Sequence, residues 1–170
     1  MRKIILFIAV SLDGYIAKAD GGLDWLFSDR DYGYTPFLES IDTTLMGYET
    51  YEKVLGFGEF PYPDKVNYVF SINHKGEKSP YVEFIGGDIA SFAKGLREMP
   101  GKDIWLVGGG KINTVMLNAG LIDEMIISVH PVVLGSGIPL FANNPKERNF
   151  VLEDSESFSS GLVQLKYRAG

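Results

Sequence analysis

The pattern of apolar and polar positions along the chain predicts strands that alternate with helices. A continuous apolar run covers residues 4–10, and such a run is typical of a central strand that is buried on both faces. Shorter apolar segments predict further strands at 43–46, 66–71, 82–85, 103–107 and 125–133. Glycine or polar residues follow most of these segments, so the predicted strands end at turns.

Apolar residues at helical spacing lie between these strands. The predicted helices cover residues 34–40, 49–55, 89–99 and 111–119. Thr35 is the predicted cap of the first helix, with Pro36 at the first helical position, and Asp88 is the predicted cap of the third. The chain ends in a predicted hairpin with strands at 150–157 and 162–167. This order predicts one α/β domain over residues 1–170, with a mostly parallel sheet and an antiparallel edge.

Composition and charge narrow the classes of partner. The 170 residues are 45% hydrophobic and 22% charged, as in ordinary globular proteins, and they carry a net charge of -6. An acidic chain without a Lys/Arg cluster repels a phosphate backbone, so we expect no nucleic-acid partner. The absence of cysteine excludes disulfides, thiol catalysis and thiolate metal sites. The two histidines lie far apart in sequence, and no spacing of carboxylates predicts a metal site.

The N-terminal apolar run has two interpretations, a strand or a targeting segment. Arg2 and Lys3 precede it and Ala17-Lys18-Ala19 follows it, which is a weak signal-peptide pattern. Asp13 interrupts that pattern, and the run is too short to span a bilayer. We therefore predict a buried first strand in a cytoplasmic protein that has no membrane partner.

The strongest local signal is the segment 104–112, where a buried strand runs into Gly108, Gly109 and Gly110 and then into a helix. Residues without side chains let another group approach the backbone closely. The first N–H groups of a helix have no internal partner, and the helix dipole is positive there. The segment therefore predicts a pyrophosphate site, the alternative being a tight turn that only packs the strand on the helix.

Two other strand ends offer polar groups. Gly47 exposes the start of a helix that carries Thr50, which predicts a second anion site or, alternatively, an ordinary capped turn. Residues 71–75 read Ser-Ile-Asn-His-Lys and follow another strand. Ligands of open parallel sheets lie outside the carboxyl ends of strands, so these side chains could bind a ribose 2′-phosphate. The alternative for this segment is a solvated loop.

Five segments, in this order, resemble the dihydrofolate-reductase-like fold. They are Ser11-Leu12-Asp13-Gly14-Tyr15-Ile16-Ala17, Met46-Gly47-Tyr48-Glu49-Thr50-Tyr51, Val107-Gly108-Gly109-Gly110, Gly120-Leu121-Ile122-Asp123-Glu124 and the segment from His130 to Phe141. The chain resembles in particular the reductase domain of the riboflavin-biosynthesis deaminase-reductase and its stand-alone relatives. The resemblance implies a mostly parallel central sheet of about eight strands, an antiparallel C-terminal edge hairpin, helices on both faces and a homodimer.

The resemblance also implies a nicotinamide cofactor, NADPH or alternatively NADH. Ala9 would hold the carboxamide and Ile16 would cover the nicotinamide ring. The full set of implied cofactor residues is Ala9, Ile16, Gly47, Tyr48, Thr50, Ser71, Asn73, Val107, Gly108, Gly109, Gly110, Lys111 and Ile112. Tyr48 stands where dihydrofolate reductases usually carry a basic residue, which weakens the case for NADPH over NADH.

The implied reaction is hydride transfer to a small pyrimidine- or pteridine-like substrate, similar to that of 5-amino-6-(5-phosphoribosylamino)uracil reductase. Asp13 is the candidate catalytic carboxylate, and the capping of a turn is the alternative role. Trp25, Asp31 and Phe37 are candidate substrate contacts, with core packing as the alternative for the two aromatic residues. Gly108 replaces the Glu that the riboflavin-pathway reductases usually carry. A dihydrofolate reductase and a non-catalytic nucleotide-binding homologue therefore remain alternatives.

Overall fold

The fold is described by a computed structural model of all 170 residues. The strands are β1 (Ile4–Val10), β2 (Tyr15–Ala17), β3 (Ile41–Gly47), β4 (Val66–Phe70), β5 (Val82–Ile85), β6 (Asp103–Gly108), β7 (Glu124–Val129), β8 (Ile138–Pro139), β9 (Phe150–Ser157) and β10 (Val163–Ala169). The helices are α1 (Tyr34–Ser40), α2 (Tyr48–Leu55), α3 (Ile89–Glu98) and α4 (Gly110–Asn118). None of the four helices is both long and apolar enough to cross a membrane.

Eight strands form one sheet in the order β5-β4-β3-β6-β1-β7-β10-β9. The first six of these run parallel, and β10 is antiparallel to both β7 and β9. Parallel neighbours need a crossover, and α2, α3 and α4 supply crossovers between successive strands. The predicted α/β sheet with an antiparallel C-terminal hairpin is confirmed.

Side chains of β1 alternate between two cores, one on each face of the sheet. Ile4 and Leu6 pack with residues of α3 and α4, whereas Ile5 packs with residues of α1 and α2. Because both faces are covered at this end of β1, its first half is continuously apolar and fully buried. The predicted placement of helices on both faces is confirmed.

The cap of α1 differs from its prediction, although the helix has the predicted bounds. Thr35 does not cap the helix, which begins at Tyr34, after Gly33 in the left-handed conformation (φ 78°). Instead the backbone N–H of Thr35 donates to the carboxylate of Asp31 (3.0 Å), and its hydroxyl donates to the same group (2.6 Å). Asp31 therefore supplies the acceptor that sequence analysis assigned to Thr35.

The end of β7 also differs, because the strand stops at Val129 and not at residue 133. Pro131 has no N–H and cannot continue the ladder. His130 still donates its N–H to the carbonyl of Val10 (2.8 Å), after which the chain leaves the sheet.

A second, two-stranded sheet forms from segments where the sequence pattern predicted no strand. Strand β2 pairs with β8 in antiparallel fashion. At Gly137 (φ 154°) a Cβ atom would lie 2.2 Å from the carbonyl oxygen of Ala17, so only glycine fits this crossing. The small sheet joins the segment after β1 to the segment after β7, at the carboxyl ends of both strands.

Candidate functional site

Strands β3 and β6 are neighbours whose outgoing helices lead in opposite directions. Helix α2 carries the chain from β3 to β4 on one side, and α4 carries it from β6 past β1 to β7 on the other. The two helices pack on opposite faces of the sheet. In open parallel sheets such a switch point opens a crevice at the carboxyl ends of the strands, where ligands bind.

Both helices begin in this crevice without a side-chain cap. Gly47 stands before α2 and Gly109 before α4, and neither start has a side-chain hydrogen bond. The first N–H groups of each helix have no intrahelical acceptor, and the positive ends of both dipoles lie at neighbouring strand ends. We call residues 47–50 and 108–112 together the glycine corner. Its chemistry fits a diphosphate.

The three consecutive glycines have three different surroundings. Gly108 is buried with φ 114°, a conformation that favours glycine, and its peptide bond to Gly109 is cis. A Cβ atom on Gly110 would lie 2.3 Å from the carbonyl oxygen of Pro139, so this glycine is needed for packing. A Cβ atom on Gly109 would meet only the Thr50 hydroxyl at 3.5 Å and Ile16 at 3.7 Å. Gly109 is therefore the glycine with open space beside it.

These distances bring together residues that lie far apart in sequence. Ile16 from β2, Thr50 from α2 and Gly109 surround one small space. On the other side of the corner, a Cβ atom on Gly47 would lie 3.2 Å from Ile112. The structure thus places at one site several of the side chains that sequence analysis assigned to a cofactor.

The segment after β4 lies beside α2. The ring of His74 stacks on Tyr48 with centroids 4.0 Å apart and an angle of 7° between the planes. The Nδ1 atom of His74 lies 2.7 Å from the hydroxyl of Ser71, so that hydroxyl already has a partner in the chain. Asn73 is exposed. The structure therefore gives Ser71 a contact within the loop and leaves Asn73 open to solvent.

The carboxyl half of β1 is more open than its amino half. Phe7 and Ala9 are only partly buried on the face of α1, although β1 has a neighbouring strand on each side. Val107 of β6 is also partly buried. Partly accessible side chains on a central strand indicate an opening in the layer above it, which we call the cleft, and Val107 extends this open face onto β6, the strand that leads into the glycine corner.

Asp13 binds backbone groups on a second loop. Its carboxylate accepts hydrogen bonds from the Ser11 hydroxyl (2.6 Å) and from the N–H groups of Leu134 (3.1 Å) and Gly135 (2.8 Å). The Ser11 hydroxyl, together with the two backbone donors, holds the pKa of Asp13 below its usual range. These contacts are those of an anchor between the loops after β1 and β7.

The three predicted substrate contacts have different surroundings. Asp31 is exposed and its carboxylate is engaged by Thr35. Phe37 is a core residue that retains 7% exposure and stacks on Phe7 with centroids 4.4 Å apart. Core packing, which sequence analysis kept as an alternative, describes Phe37 in the structure.

Trp25 is partly buried in the loop before α1. Its ring lies edge-on to His130 with centroids 5.2 Å apart, and its Nε1 donates to the carbonyl of Gly22. His130 is 4% exposed and accepts a hydrogen bond at Nε2 from the N–H of Phe27 (3.2 Å). Burial lowers the pKa of His130. His130 is therefore a buried histidine with its ring nitrogens partnered, and it holds the loop that carries Trp25.

Two polar side chains on the floor of the cleft were not predicted from the sequence. The Nε2 group of Gln164 on β10 donates to the hydroxyl of Ser128 on β7 (3.1 Å) and to the carbonyl of Tyr32 (2.9 Å). A serine inside a β-branched strand was the only signal for Ser128. Nothing in the sequence showed that Gln164 would lie beside it. No group of three potential metal ligands occurs in the structure.

Residues 73–164 match the model of the RibD C-terminal domain, which is more than half of the chain. The chain belongs to the RibD C-terminal domain family. Residues 108–112 of the glycine corner lie within the matched segment, as do Ser128 and Gln164.

Two curated relatives from Bacillus subtilis span nearly the same length. The uncharacterized protein YwjB is 42% identical over 170 residues, covering 98% of this chain and 97% of the relative. The uncharacterized protein YyaP is 39% identical over 178 residues, covering 98% and 94%.

Solved structures show the same fold. A putative riboflavin biosynthesis protein from Shewanella sp. PV-4 superposes with a TM-score of 0.87 at 31% identity, covering 99% of both chains. A diaminohydroxyphosphoribosylaminopyrimidine deaminase/5-amino-6-(5-phosphoribosylamino)uracil reductase from Thermotoga maritima superposes with a TM-score of 0.76 at 18% identity. The superposition covers 99% of this chain and 57% of the Thermotoga protein, and at this identity it shows that the two share the fold. A pyrimidine reductase-like protein from Corynebacterium diphtheriae superposes with a TM-score of 0.71 at 16% identity, covering 99% of this chain and 92% of that protein. The Shewanella protein is thus similar to this chain in both sequence and fold, whereas the two more distant structures show the fold alone.

Proposed function

We propose that this protein is an NADPH-dependent reductase that transfers hydride to a small pyrimidine- or pteridine-like heterocycle. The observation that carries the proposal is the meeting of two uncapped helix starts at the switch point between β3 and β6. Family membership and the reductase activities for which two structural neighbours are named support a reductase of this class. NADH is the alternative cofactor, because Tyr48 supplies no positive charge beside α2.

The residues present fit a dinucleotide cofactor. The open space beside Gly109, lined by Thr50 and Ile16, admits a group against the backbone that a side chain would exclude. The N–H groups at the start of α4, including those of Lys111 and Ile112, would hold the diphosphate. Gly47, Tyr48 and Thr50 would contact the adenosine half, and Ser71 and Asn73 the 2′-phosphate.

Hydride transfer depends more on positioning than on acid–base strength. NADPH, when bound, supplies the hydride from its nicotinamide. In our proposal the backbone of Ala9 orients that ring, Ile16 covers one side of it, and Val107 borders it on β6. The cleft over β1 then receives the acceptor with water excluded.

We assign Asp13 a positioning role, since its carboxylate already accepts three hydrogen bonds and its pKa is lowered. A carboxyl group that is held ionised is a poor proton donor at neutral pH. By tying residue 13 to Leu134 and Gly135, it would hold the loop that leads to Ile16 beside the nicotinamide.

Titration of the purified protein with NADPH and with NADH, followed by cofactor fluorescence and calorimetry, tests the proposal. We expect binding of NADPH, tighter than that of NADH. Failure of both to bind at millimolar concentration would refute the cofactor. Oxidation of bound NADPH is then followed with pyrimidines, pterins and dihydrofolate. A methotrexate-sensitive reaction with dihydrofolate would identify a dihydrofolate reductase, and binding without oxidation would favour a non-catalytic homologue.

We further propose that the protein is a homodimer formed through its late strands. Strand β9 is an edge of the main sheet, and two of its apolar side chains, Val151 and Leu152, are 41% and 52% exposed. Edge strands with apolar side chains are prone to pair with another chain. Sedimentation analysis should give twice the mass of 18.8 kDa, and a monomer at micromolar concentration would contradict the dimer.

A further inference from the structure

Three adjacent strands place one residue each in a row across the open face of the sheet. Ala9 on β1 lies opposite Ser128 on β7, and Ser128 lies opposite Gln164 on β10. Directly opposed residues of neighbouring strands share a face and stand about 4.8 Å apart. We call these three residues the polar row. In the proposed function its first member, Ala9, holds the nicotinamide, so the other two lie where the hydride acceptor would be.

The hydrogen bonds of Gln164 fix which atom of its amide is left without a partner in the chain. The carbonyl oxygen of Tyr32 can only accept, so the atom 2.9 Å from it must be the amide nitrogen. The same nitrogen donates to the Ser128 hydroxyl at 3.1 Å. The Oε1 atom of Gln164 accepts no hydrogen bond from the chain and therefore remains a free acceptor whose position is fixed.

Ser128 complements Gln164 with a free donor. Its hydroxyl oxygen accepts the bond from Gln164, and its hydroxyl proton has no acceptor elsewhere in the chain. The residue is only 7% exposed. A buried hydroxyl proton without an acceptor is unfavourable, and a ligand carbonyl would satisfy it.

The loop above the row is held in place by its own contacts. Tyr32 adopts φ 52°, a conformation that is uncommon for a bulky residue. Its hydroxyl binds Asp29 (2.6 Å) and Ser160 (2.8 Å), while its carbonyl receives the amide of Gln164. Backbone strain of this kind persists where surrounding contacts impose it, and it is common at ligand sites.

We infer that Ser128 and Gln164 recognise the lactam edge of the hydride acceptor, the N3–H and the adjacent C4=O of a pyrimidine or pterin ring. The Ser128 hydroxyl would donate to the carbonyl oxygen, and Oε1 of Gln164 would accept from the ring N–H. This inference rests on the proposed function for the position of the nicotinamide. Beyond the proposed function, the inference specifies which edge of the substrate is bound and which side chains bind it.

The test compares 5,6-diaminouracil with 5,6-diamino-3-methyluracil, in which a methyl group replaces the N–H of the lactam edge. Calorimetric titration of the whole protein should show binding of the first compound and at least about tenfold weaker binding of the second. Ser128→Ala and Gln164→Met should each weaken binding of 5,6-diaminouracil by about tenfold and reduce the difference between the two compounds. The affinity for NADPH should stay at the wild-type value.

Ser155→Ala is the matched control, because Ser155 lies on exposed β9 opposite Leu165, on the other face of the sheet from Gln164. This variant should bind both uracils as the wild type does. If Gln164→Met does not fold, Ser128→Ala and the methylated compound still decide the question.

Equal binding of the two uracils by the wild type, or unchanged binding by Ser128→Ala, would overturn the inference. So would a protein that binds NADPH and neither uracil. A protein that binds 5,6-diaminouracil with the expected discrimination and does not bind NADPH would support the lactam site and refute the proposed reductase. The two failures are therefore distinguishable.

Discussion

The glycine corner is built from backbone, whereas the polar row is built from side chains. At the corner, Gly47 and Gly109 leave helix N–H groups open to a ligand. In the row, Ser128 and Gln164 present a hydroxyl and an amide from strands that are adjacent only in the folded sheet. A diphosphate needs many weak donors at one place, and helix starts provide them whatever the side chains are. A heterocycle edge needs particular donors and acceptors, so its site depends on individual residues.

We expect the largest effect from a variant that fills the open space at the glycine corner and leaves the polar row unchanged. Gly109→Val places methyl groups in the space beside Thr50 and Ile16, where a Cβ atom itself meets nothing closer than 3.5 Å. NADPH binding should weaken at least about 100-fold, since several hydrogen bonds of about 1 kcal/mol each are lost. Cofactor fluorescence measures this loss.

The control for this variant is evidence that it still folds and keeps its other binding site. The far-UV circular dichroism and the affinity for 5,6-diaminouracil should match the wild type. Normal NADPH binding by Gly109→Val would remove the cofactor role of the corner.

A second variant separates the packing function of this turn from its binding function. In Gly110→Ala the new Cβ atom would lie 2.3 Å from the carbonyl oxygen of Pro139. Overpacking of this kind costs about 1–3 kcal/mol, which lowers the melting temperature by about 2–4 °C per kcal/mol in a chain of this size. Thermal unfolding measures the change. A stable variant would show that the 138–142 segment moves away from the turn easily.

Asp13→Asn tests the loop that joins the two regions. We expect turnover to fall by about tenfold, because an amide loses one of the acceptors that hold residues 134–135, while NADPH affinity changes less. Steady-state kinetics with the identified acceptor measures both parameters. Unchanged turnover would limit Asp13 to stabilising the loop.

The lowered pKa of Asp13 also predicts where pH matters. An acid whose pKa is lowered by folding contributes stability above its ordinary pKa, and that stability is lost as pH falls through the folded value. Turnover in the range of about pH 6–9 should therefore show no step from Asp13. A step in that range that disappears in Asp13→Asn would restore the proton-donor hypothesis.

The smallest expected effect concerns His130, which supports the loop of Trp25 beside the row. Burial lowers the pKa of His130, so the folded protein binds fewer protons there than the unfolded chain. Its stability contribution is complete above the ordinary histidine pKa of about 6.5 and declines as pH falls below it. Urea unfolding at pH 7 and pH 5 should show this decline, and His130→Gln should show less of it.

The sequence was most informative where the residues that determine a local structure all lie within one short segment. The order of strands and helices follows from apolar runs, and the glycine turn after β6 brings strand, turn and helix start together within residues 104–112. Two predictions failed for local reasons, since Asp31 replaces Thr35 as the acceptor at α1 and Pro131 ends β7 early. Prediction was poorest where a distant partner decides. Segments β2 and β8 form strands because they pair with each other, although they lie far apart in sequence.

By itself the sequence determined the α/β fold and the corner that we assign to a cofactor, because backbone donors at a helix start are set by local glycines and strand ends. Only the tertiary structure decided which side chains lie over the open end of β1. Ser128 and Gln164 are 36 residues apart and meet through the register of β7 and β10. Register is fixed by packing across the whole sheet, so no local pattern can show which polar groups a ligand would contact.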